Sequence, residues 1–311
     1  MSTSQPQRAV AGPDKGIMSR DVLANISFIQ DDPELFHKEK PYMSLLPDDG
    51  SFPITNCVFA SDQPTPIHDM RPRISELRLD DHGFIIVENP LRFHGVAHAV
   101  GQSDPPAHLI EYLADVTNIV KDITGAEKAY CIDWRFRKAS RQDVIDGFED
   151  EDPKRHSYTH PAYKAHADLS LDGGWLTLRA YLSETEREEV DGRKRRARVI
   201  NCWRPLVPQV NDCPLAFCRR STVLDEDCIP YDRVDGSIGS EGTFLKPSTR
   251  HEWNWISGQT CDEVCIFQSW DSLAADFTSL TFHAAFWNPN WDGKGLQRES
   301  IETRIIVLDA L

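Results

Sequence analysis

The clearest hydrophobic pattern in the chain is helical and lies within residues 104–125. Its apolar positions recur at helical spacing at Leu109, Leu113, Val116 and Val120. Pro105 follows Asp104 at the beginning and Gly125 stands at the end, which are the positions that proline and glycine favour in helices. The pattern therefore predicts one amphipathic helix that packs an apolar face on a sheet.

Two further elements are indicated by weaker patterns. The stretch at 173–192 has Trp175, Leu178 and Leu182 at helical spacing and a charged second half, which predicts a second helix. The stretch "DDHGFIIVENP" at 80–90 combines turn residues with a short apolar run, which predicts a turn followed by a buried strand.

The second half of the chain is dominated by short apolar or alternating runs. They are "RARVINCWRPL" at 196–206, "DEVCIFQSWDS" at 262–272, "LTFHAAFWN" at 280–288 and "RESIETRIIVL" at 298–308. Runs of this length and composition, separated by Pro, Gly and Asp, are typical of strands. They predict a mainly β fold with flanking helices, a sandwich or barrel rather than a doubly wound parallel sheet. Residues 26–311 are expected to form one domain after an irregular segment at 1–25.

The composition and net charge of the chain indicate which kinds of molecule it can bind. The chain has 311 residues, is 40% hydrophobic and carries a formal net charge of −15. This charge opposes binding to nucleic acid or to an anionic membrane, both of which need clustered lysine and arginine, so a small-molecule substrate is favoured. No window resembles a signal peptide or a membrane-spanning helix, and we therefore expect a cytoplasmic protein. Composition carries no information on the oligomeric state.

Two local features are interpreted as ordinary structure. The basic run "GRKRRARV" at 192–199 stands between an acidic helix end and a strand, which favours a solvated link over a nucleic-acid site. The eight cysteines are irregularly spaced and lack matched ligand pairs, which favours free thiols over a structural zinc site.

Three residues form a candidate metal site. His166 and Asp168 are two positions apart, so a strand would place both side chains on one face. His283 stands inside one of the late apolar runs. Two histidines and one carboxylate leave three positions of an octahedral metal open, as in non-heme Fe(II) oxygenases. Zinc hydrolases also use these ligand types, so both metals stay open at this point.

A candidate carboxylate-binding residue follows in the last strand. Arg298 and Ser300 are two apart, and an arginine with a neighbouring hydroxyl can hold the distal end of a dicarboxylate. Arg304 has the same parity and is the alternative anchor. The competing interpretation is a structural ion pair of the arginine with Glu299 or Glu302.

Six motifs in one order carry a resemblance to a known family. They are "HADLS" (166–170), "INCWRPL" (200–206), "DCPLAFC" (212–218), "DEVCIFQSWDS" (262–272), "FHAAF" (282–286) and "RESIETR" (298–304). Over about residues 80–308 the chain resembles the fungal Fe(II)/2-oxoglutarate-dependent oxygenases that are gibberellin-desaturase-like and cephamycin-methoxylase-related.

The resemblance implies a fold, a cofactor set and a chemistry. The fold is a double-stranded β-helix, that is, a jelly-roll or cupin-like core. His166, Asp168 and His283 would bind Fe(II), while Arg298 with Ser300, or else Arg304, would bind 2-oxoglutarate. Together with O2 as co-substrate, the enzyme would abstract a substrate hydrogen through an iron-oxo species and so hydroxylate, desaturate or cyclise a small fungal metabolite.

Candidate substrate contacts are aromatic. Trp203, Trp287 and Trp291 are candidates, with Arg204 as a partner for an acidic substrate, although tryptophans also serve as core packing and Arg204 equally suits a structural pair. Two other functions stay open. One is a non-oxidative zinc or cupin-like enzyme on the same fold, and the other is a binding protein without catalysis.

Overall fold

The computed structural model describes residues 20–44, 46, 53–61, 63–92, 96, 105–140, 158–234 and 240–311. The strands are β1 Val22–Ala24, β2 Phe28–Ile29, β3 Tyr42–Ser44, β4 Phe59–Ala60, β5 Thr65–Asp69, β6 Phe84–Glu88, β7 Lys128–Lys138, β8 Tyr158–Thr159, β9 His166–Ala167, β10 Arg195–Pro205, β11 Leu215–Cys218, β12 Cys228–Val234, β13 Ser240–Leu245, β14 Trp253–Trp255, β15 Glu263–Asp271, β16 His283–Ala285 and β17 Glu299–Ala310. The helices are α1 Pro33–Lys38, α2 Leu79–His82, α3 Ala107–Thr124, α4 Leu171–Tyr181 and α5 Glu184–Asp191.

Two large sheets make up the architecture. The first has the strand order β1-β5-β14-β11-β16-β9-β13-β12-β3, and the second has the order β6-β15-β10-β17-β7-β8. A small sheet joins β2 to β4. Strands that follow one another in the sequence are mostly not neighbours in a sheet, and most pairs are antiparallel. Buried side chains from both large sheets share the main core clusters, so the sheets pack against each other.

The predicted mainly β fold with flanking helices is confirmed. All four late runs contain strands, namely β10, β15, β16 and β17. The run at 80–90 contains the short helix α2, a left-handed Gly83 (φ 85°) and then β6. The domain boundary needs one change, because Val22–Ala24 already pairs with β5 in the first sheet and is not irregular. Residues 1–19 lie outside the described part of the chain.

The amphipathic helix at 104–125 is confirmed as α3. It ends at Gly125, which adopts the left-handed conformation (φ 68°) that glycine tolerates best. The proposed start at Asp104 lies outside the described residues, and Pro106 is the residue that precedes the helix. Buried Leu109, Tyr112 and Val116 pack on the outer side of the second sheet.

The helix predicted at 173–192 is wrong as one element. The structure has α4 and α5, separated by an extended Leu182. The break follows from Ser183, whose hydroxyl accepts from the Glu186 amide while the Glu186 carboxylate accepts from Ser183, and this capping box starts a new helix. Hydrophobic spacing through Leu182 therefore concealed a helix boundary.

The basic run at 192–199 is less solvated than predicted. Arg195 already belongs to β10 and pairs with Glu127 and Glu189. Arg198 is buried and lies 2.8 Å from Asp309. The run is therefore part of a strand whose arginines are held in ion pairs. Among the helices that the structure describes, none has the length and apolar character needed to cross a membrane.

Candidate metal centre and active site

Three predicted ligands meet at one point between the sheets. His166 on β9 lies directly opposite His283 on β16 in the antiparallel register, and their ring centroids are 4.4 Å apart. Asp168 follows β9, and its Oδ1 is 3.6 Å from His166 Nε2. The possible ligand atoms of the three residues lie within 4.8 Å of one another, and all three residues are buried. This arrangement suits one metal ion.

Local structure after β9 fixes the position of Asp168. Ser170 caps α4, because its hydroxyl accepts from the Gly173 amide at 2.8 Å. Gly174 lies against Trp270, and a Cβ at this position would come within 2.2 Å of the indole. Glycine is thus required for α4 to lie close to the second sheet, which explains the "GG" after "HADLSLD".

Both histidines present Nε2 toward the site. The Nδ1 atom of His166 donates to the Lys164 carbonyl at 2.7 Å, and the Nδ1 atom of His283 donates to the Thr281 carbonyl at 3.1 Å. A histidine that donates from Nδ1 keeps the lone pair of Nε2 for a metal, and the hydrogen bond fixes the ring orientation. The two imidazoles are therefore prepared as metal ligands.

Burial and charge favour the protonation states that a metal requires. Burial, reinforced by the neighbouring His166, lowers the pKa of His283 to about 4, so this imidazole is neutral at pH 7. Burial alone would raise the pKa of Asp168, but the Arg304 guanidinium and the hydrogen bond from His166 hold that pKa well below its ordinary value. The site thus offers a neutral His283 imidazole and an ionised Asp168 carboxylate.

The second oxygen of Asp168 is held by the opposite sheet. Asn201 of β10 donates to Asp168 Oδ2 and also to Glu302 at 2.7 Å. Arg304 Nη2 lies 3.4 Å from the same Oδ2. Ser269 donates to the Asn201 oxygen at 3.0 Å, which orients the amide. The Oδ1 atom is left facing His166, so these contacts favour one oxygen of Asp168 as the metal ligand.

Arg298 is a buried cation outside this network. It precedes β17, is 1% exposed, and its guanidinium lies 5.0 Å from the Trp203 ring. Its Nε donates to Ser300 Oγ at 3.3 Å and its Nη1 to the Cys213 carbonyl at 3.0 Å. Among the described residues, no carboxylate forms an ion pair with its side chain. An unneutralised buried charge is costly, so this position favours an anionic ligand.

The predicted aromatic contacts lie in two places. Trp203 is buried on the same face of β10 as Asn201 and lies beneath Arg298. Trp287 and Trp291 form a pair with ring centroids 6.0 Å apart in the loop before β17. The structure does not bring this pair into the cavity that contains His166 and Asp168.

Arg204 lies on the opposite face of β10. It is 1% exposed and donates to the carbonyls of Asn89 and Cys261, each at 2.7 Å. Its guanidinium lies 5.6 Å from the Tyr112 ring of α3. The structure therefore places Arg204 in a structural role, away from His166 and Asp168.

A cavity opens from the metal centre toward the surface. Its apolar lining includes Met43, Ile54, Trp134, Tyr163 and Phe244. His166 and Asp168 line its buried end, with Glu302 and Arg304 of β17 beside them. Tyr163 also links the cavity to the surroundings of Arg298, since its hydroxyl accepts a hydrogen bond from the Cys213 thiol over 3.6 Å.

Sequence reasoning missed Asn201 and Glu302. Asn201 is a polar residue inside the apolar run "VINCW", and a polar side chain in such a strand must find a hydrogen-bond partner. Glu302 was considered only as an ion-pair partner for an arginine, but it shares the inward parity of Ser300 and Arg304. Glu302 could have been found from that parity, and Asn201 could have been singled out as a polar residue in an apolar run, although its partner could not.

The profile of the family described as "Oxidoreductase/YMDC permease-like domain" matches residues 26–308, most of the chain. The chain belongs to this family. Among similar proteins are the "Alpha-ketoglutarate-dependent dioxygenase tstK" of Talaromyces stipitatus, 26% identical over 78% of this chain and 83% of the relative, and the "Gibberellin cluster GA4 desaturase" of Gibberella fujikuroi, 25% identical over 81% and 89%.

A solved structure of the same kind supports the fold. The "iron and alpha-ketoglutarate-dependent endoperoxidase NvfI" superimposes with a TM-score of 0.74 at 25% identity, over 94% of this chain and 99% of that chain. The corresponding "Fe(II)/2-oxoglutarate-dependent dioxygenase nvfI" of Aspergillus novofumigatus is 28% identical over 77% of this chain and 81% of its own.

These relatives confirm the family resemblance that the motifs indicated. The protein is a fungal-type Fe(II)/2-oxoglutarate-dependent dioxygenase with a double-stranded β-helix fold. Its cofactor set is Fe(II), 2-oxoglutarate and O2, and its substrates are small molecules. The oxygenase interpretation is thereby supported over a non-oxidative metal enzyme.

Proposed function

We propose that this oxygenase binds iron through His166, Asp168 and His283 and modifies a small molecule of fungal secondary metabolism. The donor set fits the metal, because two imidazole Nε2 atoms and one carboxylate oxygen converge while Asn201 and Arg304 occupy the other oxygen of Asp168. When bound, Fe(II) and 2-oxoglutarate would supply the oxidising chemistry that removes a hydrogen from the substrate.

The burial of Arg298 without a carboxylate partner among the described residues is the observation that carries the co-substrate assignment. We propose that Arg298 binds the distal carboxylate of 2-oxoglutarate, with Ser300 orienting the guanidinium through its hydroxyl. Arg304 is the less suitable anchor, because its guanidinium already lies beside Asp168. Trp203 supports this role by covering one face of the Arg298 guanidinium.

The protein's remaining contribution is to position the substrate and to exclude water. The cavity walls formed by Trp134, Tyr163 and Phe244 are apolar and suit a hydrocarbon body. Trp287 and Trp291 are proposed to act indirectly, by shaping the loop that precedes Arg298. Hydroxylation, desaturation and ring closure all begin with loss of a hydrogen, and the relatives' names include a desaturase and an endoperoxidase.

We also propose that residues 22–311 act as one catalytic domain in the cytoplasm, without a nucleic-acid or membrane partner. The family profile spans residues 26–308, and the first and last strands, Val22–Ala24 and Glu299–Ala310, belong to the two large sheets. The formal net charge of −15 disfavours anionic polymers and membranes.

Metal loading and co-substrate turnover test the proposal together. Protein purified without oxygen should bind one Fe(II) per chain and, after admission of O2, convert 2-oxoglutarate to succinate. His166→Ala should abolish both, whereas His251→Ala, which removes a buried histidine paired with Asp227, should leave both intact. Full iron occupancy in His166→Ala, or turnover that does not need 2-oxoglutarate, would contradict the proposal.

A further inference from the structure

The segment at 212–218, "DCPLAFC", lies against both the proposed iron ligand His283 and the proposed co-substrate anchor Arg298. Its second half is β11, and Phe217 of this strand is opposite His283 in the antiparallel register with β16. At its beginning, Asp212 Oδ2 accepts a hydrogen bond from the Arg298 backbone amide at 2.9 Å. One continuous segment therefore connects the metal end and the co-substrate end of the proposed site.

Hydrogen bonds hold the backbone of Arg298 from both sides. Its amide donates to Asp212 Oδ2, and its carbonyl accepts from the Ala139 amide at 2.9 Å. The guanidinium is directed by the next residue of the same segment, because Nη1 donates to the Cys213 carbonyl at 3.0 Å. Asp212 is thus the side chain that ties the Arg298 backbone to the segment at 212–218.

Asp212 also holds the beginning of the loop that leads to Arg298. The Asn288 amide donates to the Asp212 carbonyl at 2.8 Å. Residues 289–297, which lie between these two contacts, are mostly exposed, whereas Asp212 is 0% exposed. The buried aspartate, rather than the exposed loop, therefore determines where Arg298 stands immediately before β17.

Burial strengthens the contact between Asp212 and the Arg298 amide. A carboxylate that accepts from a backbone N–H forms a charge-assisted hydrogen bond, and such a bond is stronger in a site that water does not reach. The other oxygen, Oδ1, is buried and has no hydrogen-bond partner in the part of the chain that the structure describes. Within that part of the chain, the Arg298 amide is therefore the group that orients this carboxylate.

The length of 2-oxoglutarate makes the distance between the metal and the anchor important. One end of the co-substrate would bind the metal, and the carboxylate at the other end would meet Arg298. A 2-oxo dicarboxylate with one more methylene needs a longer span, and a closely fitting site discriminates against one extra methylene by about tenfold or more. Such discrimination requires a rigid connection between His283 and Arg298, which the segment at 212–218 supplies.

We infer that Asp212 is a positioning residue for the co-substrate, because it fixes the Arg298 backbone relative to His283 and so makes the site selective for a dicarboxylate of the length of 2-oxoglutarate. The inference rests on the proposed function, since it assumes that Arg298 is the anchor and that His283 binds the iron. Asp212 acts through Arg298 and touches neither the metal ligands nor the co-substrate.

Co-substrates of two lengths test this inference. The enzyme is loaded with Fe(II) without oxygen and titrated with 2-oxoglutarate and, separately, with 2-oxoadipate, which has one more methylene, and the metal-to-ligand charge-transfer band reports binding of each. The wild type should bind 2-oxoadipate at least about tenfold more weakly than 2-oxoglutarate. Asp212→Ala should weaken 2-oxoglutarate binding about tenfold and narrow this preference at least about threefold, because Arg298 loses its buried tie. Iron binding measured without a co-substrate should not change.

Further variants separate positioning from general stability. Asp212→Asn keeps an accepting oxygen at the same distance and should restore 2-oxoglutarate binding to within about threefold of the wild type, together with its preference. Asp212→Ser has an oxygen one bond closer to the backbone, too short to reach the amide, and replaces Asp212→Ala with the same expected losses if the alanine variant does not fold.

Asp69→Ala is the matched control. Asp69 is also buried and accepts from the backbone amide of a distant residue, Ser257, at 3.0 Å. This variant should have a lower melting temperature but wild-type titrations with both oxo acids.

The outcomes are distinguishable from failure of the proposed function. If that function were wrong, the charge-transfer band would be missing in the wild type, or Arg298→Gln would titrate like the wild type. With the band present and Arg298 established as the anchor, a wild type that binds both oxo acids equally, or an unchanged preference in Asp212→Ala, would overturn the inference. The same follows if Asp212→Asn is no better than Asp212→Ala, if Asp69→Ala shows the same shift, or if Asp212→Ala loses its iron.

Discussion

The two faces of the β10–β17 pair differ in what their buried polar groups do. The inner face carries Asn201, Trp203, Ser300, Glu302 and Arg304, and three of these side chains contact the proposed metal ligand Asp168 or each other. The outer face carries Cys202, Arg204, Ile301 and Thr303 and packs against α3. Neighbouring residues of the same strands therefore face the proposed metal site on one side and the α3 helix on the other.

Two buried arginines, Arg204 and Arg298, illustrate the difference between the outer and the inner face. Arg204 and Arg298 are each 1% exposed, and each stacks on an aromatic ring. Arg204 donates to two carbonyls and to the Asn89 side chain, so it is held by the protein itself. Arg298 forms no ion pair with a carboxylate of the described residues, which is why we propose it as the anchor of 2-oxoglutarate. Burial is the same for both arginines, so the proposal that Arg298 is functional depends on its partners and on the face of the strand.

The largest effect is expected on Fe(II) binding, when an aspartate that the inner face contacts is compared with an aspartate on the outer face. Asp168→Ala should weaken Fe(II) binding by at least about a hundredfold, the upper end of the loss caused by removing a residue that merely supports a ligand. Asp309→Ala on β17 removes a carboxylate paired with Arg198 and should lower the melting temperature but leave iron affinity unchanged. Anaerobic metal titration measures the iron affinity, and calorimetry measures the melting temperature. Equal iron affinity in Asp168→Ala and Asp309→Ala would contradict the proposal that Asp168 is a metal ligand.

The second largest effect is expected in the pH dependence of stability, where His283 of the proposed metal site is compared with Cys202 on the outer face of β10. His283 has a pKa of about 4 in the folded protein, against an ordinary value of 6.5. Below pH 6.5 the unfolded chain takes up a proton that folded His283 refuses. The free energy of unfolding of the metal-free protein should therefore fall by about 3 kcal/mol from this group as the pH drops from 6.5 to 4. On the outer face, burial raises the pKa of Cys202 to about 12, so its thiol does not titrate in this range.

Denaturant unfolding of metal-free protein at several pH values checks this expectation. His283→Gln should flatten the profile between pH 4 and 6.5, and Cys202→Ala should not. An unchanged slope in His283→Gln would show that other groups cause the acid sensitivity.

A smaller effect is expected at the residue that supports Asp168. Asn201→Ala removes the donor to Asp168 Oδ2 and should weaken Fe(II) binding about tenfold, as loss of a hydrogen bond to a metal ligand does. Cys202→Ala, one residue along on the outer face, should leave the iron affinity as in the wild type. Asn201→Asp would introduce a like charge beside Asp168 and Glu302 and should weaken binding further. Wild-type affinity in Asn201→Ala would refute the supporting role.

The smallest effect is expected at Thr303. Its hydroxyl is buried on the outer face and finds no hydrogen-bonding oxygen or nitrogen within 3.5 Å in the described part of the chain. Thr303→Val keeps the shape and removes a hydroxyl that gains little, so the stability should change by no more than about 1 kcal/mol. Turnover should stay at the wild-type level. A large loss of turnover would mean that the outer face takes part in catalysis.

Helices and strands with a clear local pattern of apolar residues could be predicted from the sequence. The α3 helix has regular apolar spacing with a proline and a glycine at its ends, and four apolar runs became β10, β15, β16 and β17. His166 and Asp168 could be proposed as a pair of ligands because alternate positions of an extended chain share a face, although the strand itself ends at Ala167. The boundary between α4 and α5 was missed because a capping box at Ser183 outweighed continuous hydrophobic spacing.

Features that depend on which strands become neighbours could not be predicted from local sequence patterns. Asn201 contacts Asp168 because β10 of the second sheet crosses the end of β9 in the first, and no spacing in the sequence encodes that approach. Arg204 was a plausible substrate contact until α3 and Asn89 were found beside it.

The most direct test of the account is a 2-oxoglutarate titration of the iron-loaded enzyme without oxygen, in which the Fe(II)–2-oxoglutarate charge-transfer band is recorded for the wild type and three arginine variants. Arg298→Gln should need at least about thirtyfold more 2-oxoglutarate, because one partner of a buried charge pair is removed. Arg204→Gln should titrate like the wild type even if its melting temperature falls, and Arg304→Gln should mainly weaken iron binding through Asp168. A wild-type titration in Arg298→Gln, with the loss appearing in Arg304→Gln or Arg204→Gln, would contradict the assignment of the inner face and of Arg298.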